Sequence, residues 1–173
     1  MSDAINDATV AFEVGSLMND AVYQIVTKDF AFIKGRKAII VLTDGFVWGE
    51  VSNKNFLDTL IESDTPIYPI FFQTRGIFPS KIKTVTMDEL VKKSPVDFLN
   101  TIAISTGGRL YAADADNFSG VFQKIADELK KQYLIGFYPK DGKSNNITIK
   151  VDRPDVVIRT KQTIRLKTPN SEK

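Results

Sequence analysis

The stretch Lys37-Ala38-Ile39-Ile40-Val41-Leu42-Thr43-Asp44-Gly45 decides the fold. Ile39 to Leu42 are four consecutive large apolar residues, three of them β-branched, behind a basic Gly35-Arg36-Lys37 lead-in. An apolar run this short reads as a strand covered on both faces, the habit of parallel sheets inside α/β domains. It stops at Thr43-Asp44-Gly45, small and polar, where a parallel strand hands over to a loop at its carboxyl end. In open α/β sheets ligands bind at that edge. Asp44 is therefore either a ligand group or a loop and cap residue.

Upstream, residues 4–32 read as helix in one or two pieces. Val14, Met18, Val22 and Val26 fall on one line and Leu17, Ala21 and Ile25 on the next, a stripe wide enough to lie on a sheet. Gly15-Ser16 interrupts it, so a helix is expected to start near Ser16, with Ser16 as its N-cap. Downstream, Phe46-Val47-Trp48 puts three large apolar residues in a loop directly after Asp44. They form either a contact patch or a fold-back onto the adjoining helix.

Phe56, Leu57, Leu60 and Ile61 repeat with helical spacing over 52–62, and Asp64-Thr65-Pro66 ends that helix. Ile67-Tyr68-Pro69-Ile70-Phe71-Phe72 reads as the next buried strand, with Pro69 arguing for an edge or irregular position. Thr86-Met87-Asp88-Glu89 is a capping-box pattern for a short helix through Lys93. Ser94-Pro95-Val96-Asp97 opens another helix with proline at its first position, closed by Thr106-Gly107-Gly108. Arg109 to Ala112 is a short third strand. Asp114, Asp116 or Asn117 then caps a helix whose apolar face is Phe118, Val121, Phe122, Ile125, Ala126 and Leu129.

Beyond Gln132 the period changes from helical to two. Strands are expected over 133–138, around Ile147, Ile149 and Val151, over 156–160 and over 163–167, an antiparallel unit joined by turns at Pro139 to Gly142 and Arg153 to Asp155. The organisation expected is an α/β domain over 1–132, a β-strand extension packed on it over 133–167, and a frayed tail over 168–173.

Composition narrows the chemistry. A chain of 173 residues with 43% hydrophobic content has enough material for one ordinary core. Lysine plus arginine number 23 against 21 acidic residues, a balance too even to argue for nucleic acid. With no cysteine and no histidine, thiol chemistry, thiolate zinc sites and the commonest general base are excluded. No apolar run approaches the ~20 residues that span a bilayer. There is no Gly-x-Gly-x-x-Gly and no Walker loop. Asn146-Ile147-Thr148 is a glycosylation sequon, relevant only in a secretory eukaryotic setting.

The order of elements resembles the von Willebrand factor A domain, and more closely its bacterial subfamily first described from acidobacteria. The matching words are Gly15 to Tyr23, Gly35 to Gly45, Thr106 to Tyr111, and Ile125 to Pro139 with its Ile-Ala-Asp-Glu-Leu-Lys-Lys-Gln-Tyr-Leu-Ile-Gly-Phe-Tyr-Pro. Each is weak alone; the ordered set is fairly specific. The resemblance implies a Rossmann-like three-layer sandwich and, in many members, a divalent cation at the carboxyl edge. That cation is held by Asp-x-Ser-x-Ser, a Thr before a helix, and the Asp of Thr-Asp-Gly. Asp44 matches the last and Ser16 stands in place of the Thr. The first motif has no counterpart: Asp7-Ala8-Thr9-Val10-Ala11 is the nearest string and ends without a hydroxyl.

The expectation is thus a partial von Willebrand A fold, its early strands ahead of Met1. The cation site is incomplete, without a tightly bound metal and at most weakly occupied by Mg2+ or Mn2+ through Asp44 and Ser16. Losing the neighbouring strand leaves an apolar edge at 38–43, which predicts self-association through that strand unless residues 4–12 cover it. The function expected is a non-enzymatic protein-interaction or adhesion module using Asp44, Ser16 and the Phe46, Val47, Trp48 loop. The competing class is an open α/β hydrolase-like or cation-dependent enzyme with Asp44 as its only well-placed carboxylate. The family resemblance implies a secreted or periplasmic location.

Overall fold

Ile39 to Thr43 forms a strand, β1, paired in parallel with β2 (Ile67–Phe72), which pairs in turn with β3 (Tyr111–Ala113). The sheet order is β1-β2-β3, with Ile39 opposite Ile67 and Ile70 opposite Tyr111. The computed structural model describes residues 17–45, 49–72, 95–114, 116–133, 135 and 148–161. Parallel neighbours cannot be joined by a tight turn, so each connection carries a helix. Among the described residues four α-helices accompany the sheet: α1 (Met18–Gln24), α2 (Asn53–Glu62), α3 (Pro95–Thr106) and α4 (Phe118–Lys130).

Alternation along β2 explains the layers. Ile67 and Phe71 point to one face, where they join Ile39, Met18, Val22, Phe56, Leu57, Leu60, Leu99 and Ile102, so α1, α2 and α3 cover that side. Tyr68 and Ile70 point to the other, with Tyr111 and Ala113, and are covered by Val121 and Ile125 of α4. The result is a mixed α/β arrangement, a small parallel sheet with helices on both faces. Phe56, Leu60, Ile70, Leu99 and Ile125 are fully buried. Each such side chain contributes about 1.5–3 kcal/mol relative to exposure.

Local signals fix several boundaries. The Asn55 N–H donates to Ser52 Oγ at 3.3 Å, the N-cap bond that starts α2. Pro95 is the first residue of α3, where its missing N–H is not needed. Gly107, at φ 80°, ends α3, and the Gly108 N–H donates to the Ala103 carbonyl at 2.9 Å. Gly108 also passes so close to the Ile67 backbone that a Cβ would fall inside its carbonyl group.

Other expectations are corrected. The Ile39–Leu42 run is not covered on both faces: Ile40 is 40% and Leu42 55% exposed, because α4 lies over β2 and β3 and not over β1. Pro69 sits in the central strand, not at an edge, opposite Val41. The ladder to β3 begins only at Ile70, so no bond of that ladder is lost at the proline. The first described helix starts at Met18 with Leu17 at the N-cap and no side-chain cap bond, rather than being capped by Ser16. It runs on into a π-helical turn, Ile25–Asp29, closed by the Phe30 N–H on the Ile25 carbonyl. Phe122 stands 46% exposed beside buried Val121 and Ile125, outside the cluster that α4 forms with the sheet.

The C-terminal antiparallel strands are not formed where the chain is described. Residues 148–161 carry no strand, and Val157 is 85% exposed. Alternating apolar residues build a strand only against a pairing edge, and none lies beside them among the described residues. The expected helix over 86–93, the strand over 163–167 and most of 133–147 lie outside the described residues. No helix is long and apolar enough to cross a membrane among the described residues.

Candidate functional site

All three strands end at one carboxyl edge, and Asp44 is exposed there, directly after β1. The turn that carries it is fixed from both sides. The Gly45 N–H donates to the hydroxyl of buried Thr43 at 3.0 Å. Gly45 adopts φ 84°, and a Cβ there would run into Pro95, the first residue of α3. Only glycine allows this positive φ together with so close an approach. Ser16, Phe46, Val47 and Trp48 lie outside the described residues.

The far end of the loop after Asp44 is clamped by residues the sequence analysis did not single out. Asp20 Oδ1 on α1 accepts the backbone N–H groups of Glu50 and Val51 at 3.2 and 3.1 Å. Asn19, 2% exposed, donates through Nδ2 to Asn53 Oδ1 at 2.8 Å and to the Val51 carbonyl at 3.4 Å. Two clamp oxygens, Asn19 Oδ1 and Asp20 Oδ2, are buried with no hydrogen-bond partner among the described residues. The sequence signal was two polar residues side by side within an apolar helical stripe.

Few acidic side chains gather at the described part of the carboxyl edge. Hard cations take six or more oxygen ligands. Among the described residues no group of three or more acidic side chains converges on one point. Asp114 and Asp116 build a turn instead: Asp114 Oδ1 accepts the N–H groups of Asp116 and Asn117 at 3.2 and 3.1 Å.

A second feature is the outer edge of β1. The Ile39 N–H donates to the Pro66 carbonyl at 3.0 Å, on the β2 side. Backbone groups alternate sides along a strand, so those of Ile40 and Leu42 point outward. Beside them runs an apolar groove of about 400 Å3, lined by Leu17, Met18, Val22 and the residues of β1 from Ile39 to Leu42. Leu17 at its rim is 59% exposed.

At the opposite, amino edge of the sheet lies a cleft of about 320 Å3 between Arg109, Tyr111, Glu128 and Arg159. Glu128 is its centre. Its Oε1 accepts from the Tyr111 hydroxyl at 2.8 Å and pairs with Arg159 at 2.6 Å and Arg109 at 3.4 Å. Burial, then the hydrogen bond to Glu128 and its charge, push the Tyr111 phenol from 10.0 up to about 12. Tyr68 is also raised, by burial first and then by Glu128, and its hydroxyl accepts from Gln132 Nε2 at 3.1 Å. Arg159 belongs to the segment 148–161, and Lys161 of that segment donates to the Ser63 carbonyl. The cluster therefore fastens an otherwise exposed segment to the core.

No protein-family model, curated protein or solved structure matches this chain.

Proposed function

We propose that this chain is a non-enzymatic, von Willebrand A-like interaction module that takes an extended segment of a protein partner along β1. The observation that carries this is the outward backbone of Ile40 and Leu42 beside an apolar groove. A strand edge with no further strand beside it among the described residues, next to exposed leucine and isoleucine, is the kind of surface on which β-augmentation operates: backbone bonds give affinity and alternate side chains give selectivity. The turn at Asp44 lies at the carboxyl end of that edge and extends the contact surface. Catalysis is disfavoured by composition, since a chain without histidine or cysteine lacks the commonest base and the commonest thiol nucleophile. A divalent cation has no part in the proposed contact. A secreted or periplasmic location goes with the same resemblance.

The test uses a synthetic peptide of the sequence Lys37 to Gly45 as a generic extended apolar strand. Fluorescence anisotropy should show saturable binding, and hydrogen exchange at the Ile40 and Leu42 amides should slow when it is added. Leu42→Lys should weaken binding at least tenfold. Amides at Ile40 and Leu42 that are already as protected as that of Ile70 in the free chain, at all concentrations, would refute the proposal.

A further inference from the structure

We infer that the strand filling this edge is β1 of a second copy, antiparallel to the first, with the two Val41 residues facing each other across a two-fold axis. This rests on the strand-docking reading above. The register follows from which backbone groups are available. Ile40 and Leu42 present their N–H and C=O groups outward, because Ile39 is committed to Pro66 on the inner side. An antiparallel pair bonds through residues that exchange both N–H and C=O. Setting Ile40 opposite Leu42 of the second copy, and Leu42 opposite its Ile40, uses all four outward residues of the two strands in a closed, symmetric pattern. Centring the axis on Ile40 or on Leu42 would pair only one outward residue of each strand within β1.

Side chains and charge agree with that register. Directly opposed residues of an antiparallel pair share a face. Ile40 and Leu42, 40% and 55% exposed, would cover each other on the side that α4 does not reach. Val41 would meet Val41 on the side of α1, beside Met18 and Val22, where the apolar groove runs. The ends of the strand carry opposite charges, Arg36 and Lys37 before it and Asp44 after it. Antiparallel pairing brings the acidic end of each copy to the basic end of the other. Parallel pairing would set like charges side by side. An isologous contact of this kind closes on itself, so it stops at two copies and joins two three-stranded sheets into one of six.

The first measurement is molar mass by light scattering on the full chain across a range of concentrations. The expected value is twice the 19.3 kDa of one chain. Leu42→Lys, at an exposed position, should return the mass to that of one chain with an unchanged circular dichroism spectrum. The sequence has no cysteine, so single introduced thiols report proximity cleanly. Val41→Cys should oxidise to a covalent dimer at least tenfold faster than Ile33→Cys, whose position is 50% exposed and outside the strand. A wild-type mass of one chain at every concentration overturns the inference, as does equal cross-linking of the two thiol variants. In either event the peptide experiment separates the two levels. If the peptide still slows exchange at Ile40 and Leu42, only the second copy is wrong; if it does not, the strand-docking reading falls too.

Discussion

Alkali should destabilise this protein through Tyr111, and the size of the effect follows from its surroundings. The residue is 8% exposed and its hydroxyl donates to Glu128 Oε1 at 2.8 Å. Ionising it would strip water from a phenolate, sacrifice that bond and set two anions side by side, which is why its pKa rises from 10.0 to about 12. The folded value lies above the unfolded one. The stabilisation is therefore complete below pH 10, where both states hold the proton, and is lost as pH climbs toward 12. Linkage spreads a total of about 3 kcal/mol over that interval. Urea unfolding of the wild type and of Tyr111→Phe, at neutral pH and one unit above the unfolded tyrosine pKa, isolates this contribution from the lysines. The wild type should lose more stability than the variant over that interval, by roughly half of that total. Glu128→Gln keeps an acceptor and removes the charge, so the phenol should titrate lower and the slope shrink. Parallel alkaline profiles for wild type and Tyr111→Phe would refute the account.

Two glycines should respond to alanine with opposite signs. Gly108→Ala forces a methyl into the Ile67 backbone and should cost about 3 kcal/mol, whereas Gly120→Ala in α4 meets nothing within 4 Å and should stabilise by about 0.5–1 kcal/mol, both read by denaturant midpoints. Asp20→Ala removes the acceptor for the Glu50 and Val51 N–H groups and should cost about 1–3 kcal/mol. Hydrogen exchange should quicken at those two amides while Ile70 stays protected; unchanged exchange there would mean that the clamp does not hold the loop.

What the sequence made legible were features governed by near neighbours. The helical spacing over 52–62, Pro95 opening α3 and Gly107 closing it each work within a few residues, and 67–72 was read with its observed bounds. Misread features depended on what lies across space. Pro69 argues for an edge by itself, and becomes acceptable in the centre only because β3 is three residues long. Ile40 and Leu42 look like core, and are exposed because the helix layer on their side is narrow. The alternation near Ile149 and Val151 satisfies the strand pattern, yet a pattern supplies no pairing edge. Glu128 belongs by spacing to the water-facing side of α4, and its three donors come from Arg109, Tyr111 and Arg159, which no helical period links to it. Of the candidate site, Asp44 stands out in the sequence because it ends an apolar run. The Asn19 and Asp20 clamp was missed because its partners lie about thirty residues away, at Glu50 to Asn53.

The parallel order of the strands has a kinetic corollary. Ile39 finds its rung at Ile67, and Ile70 finds its rung at Tyr111, so no pair in this sheet is made by residues close in the chain. Formation of this sheet cannot begin from a hairpin. The α2 and α3 crossovers have to collapse onto β2 before either ladder gains its first bond, and loop closure is spent in advance of any sheet enthalpy. Refolding should accordingly be slower than for a helical bundle of the same size. During that delay β1 has both of its backbone edges open rather than one, and refolding yield should fall as protein concentration is raised.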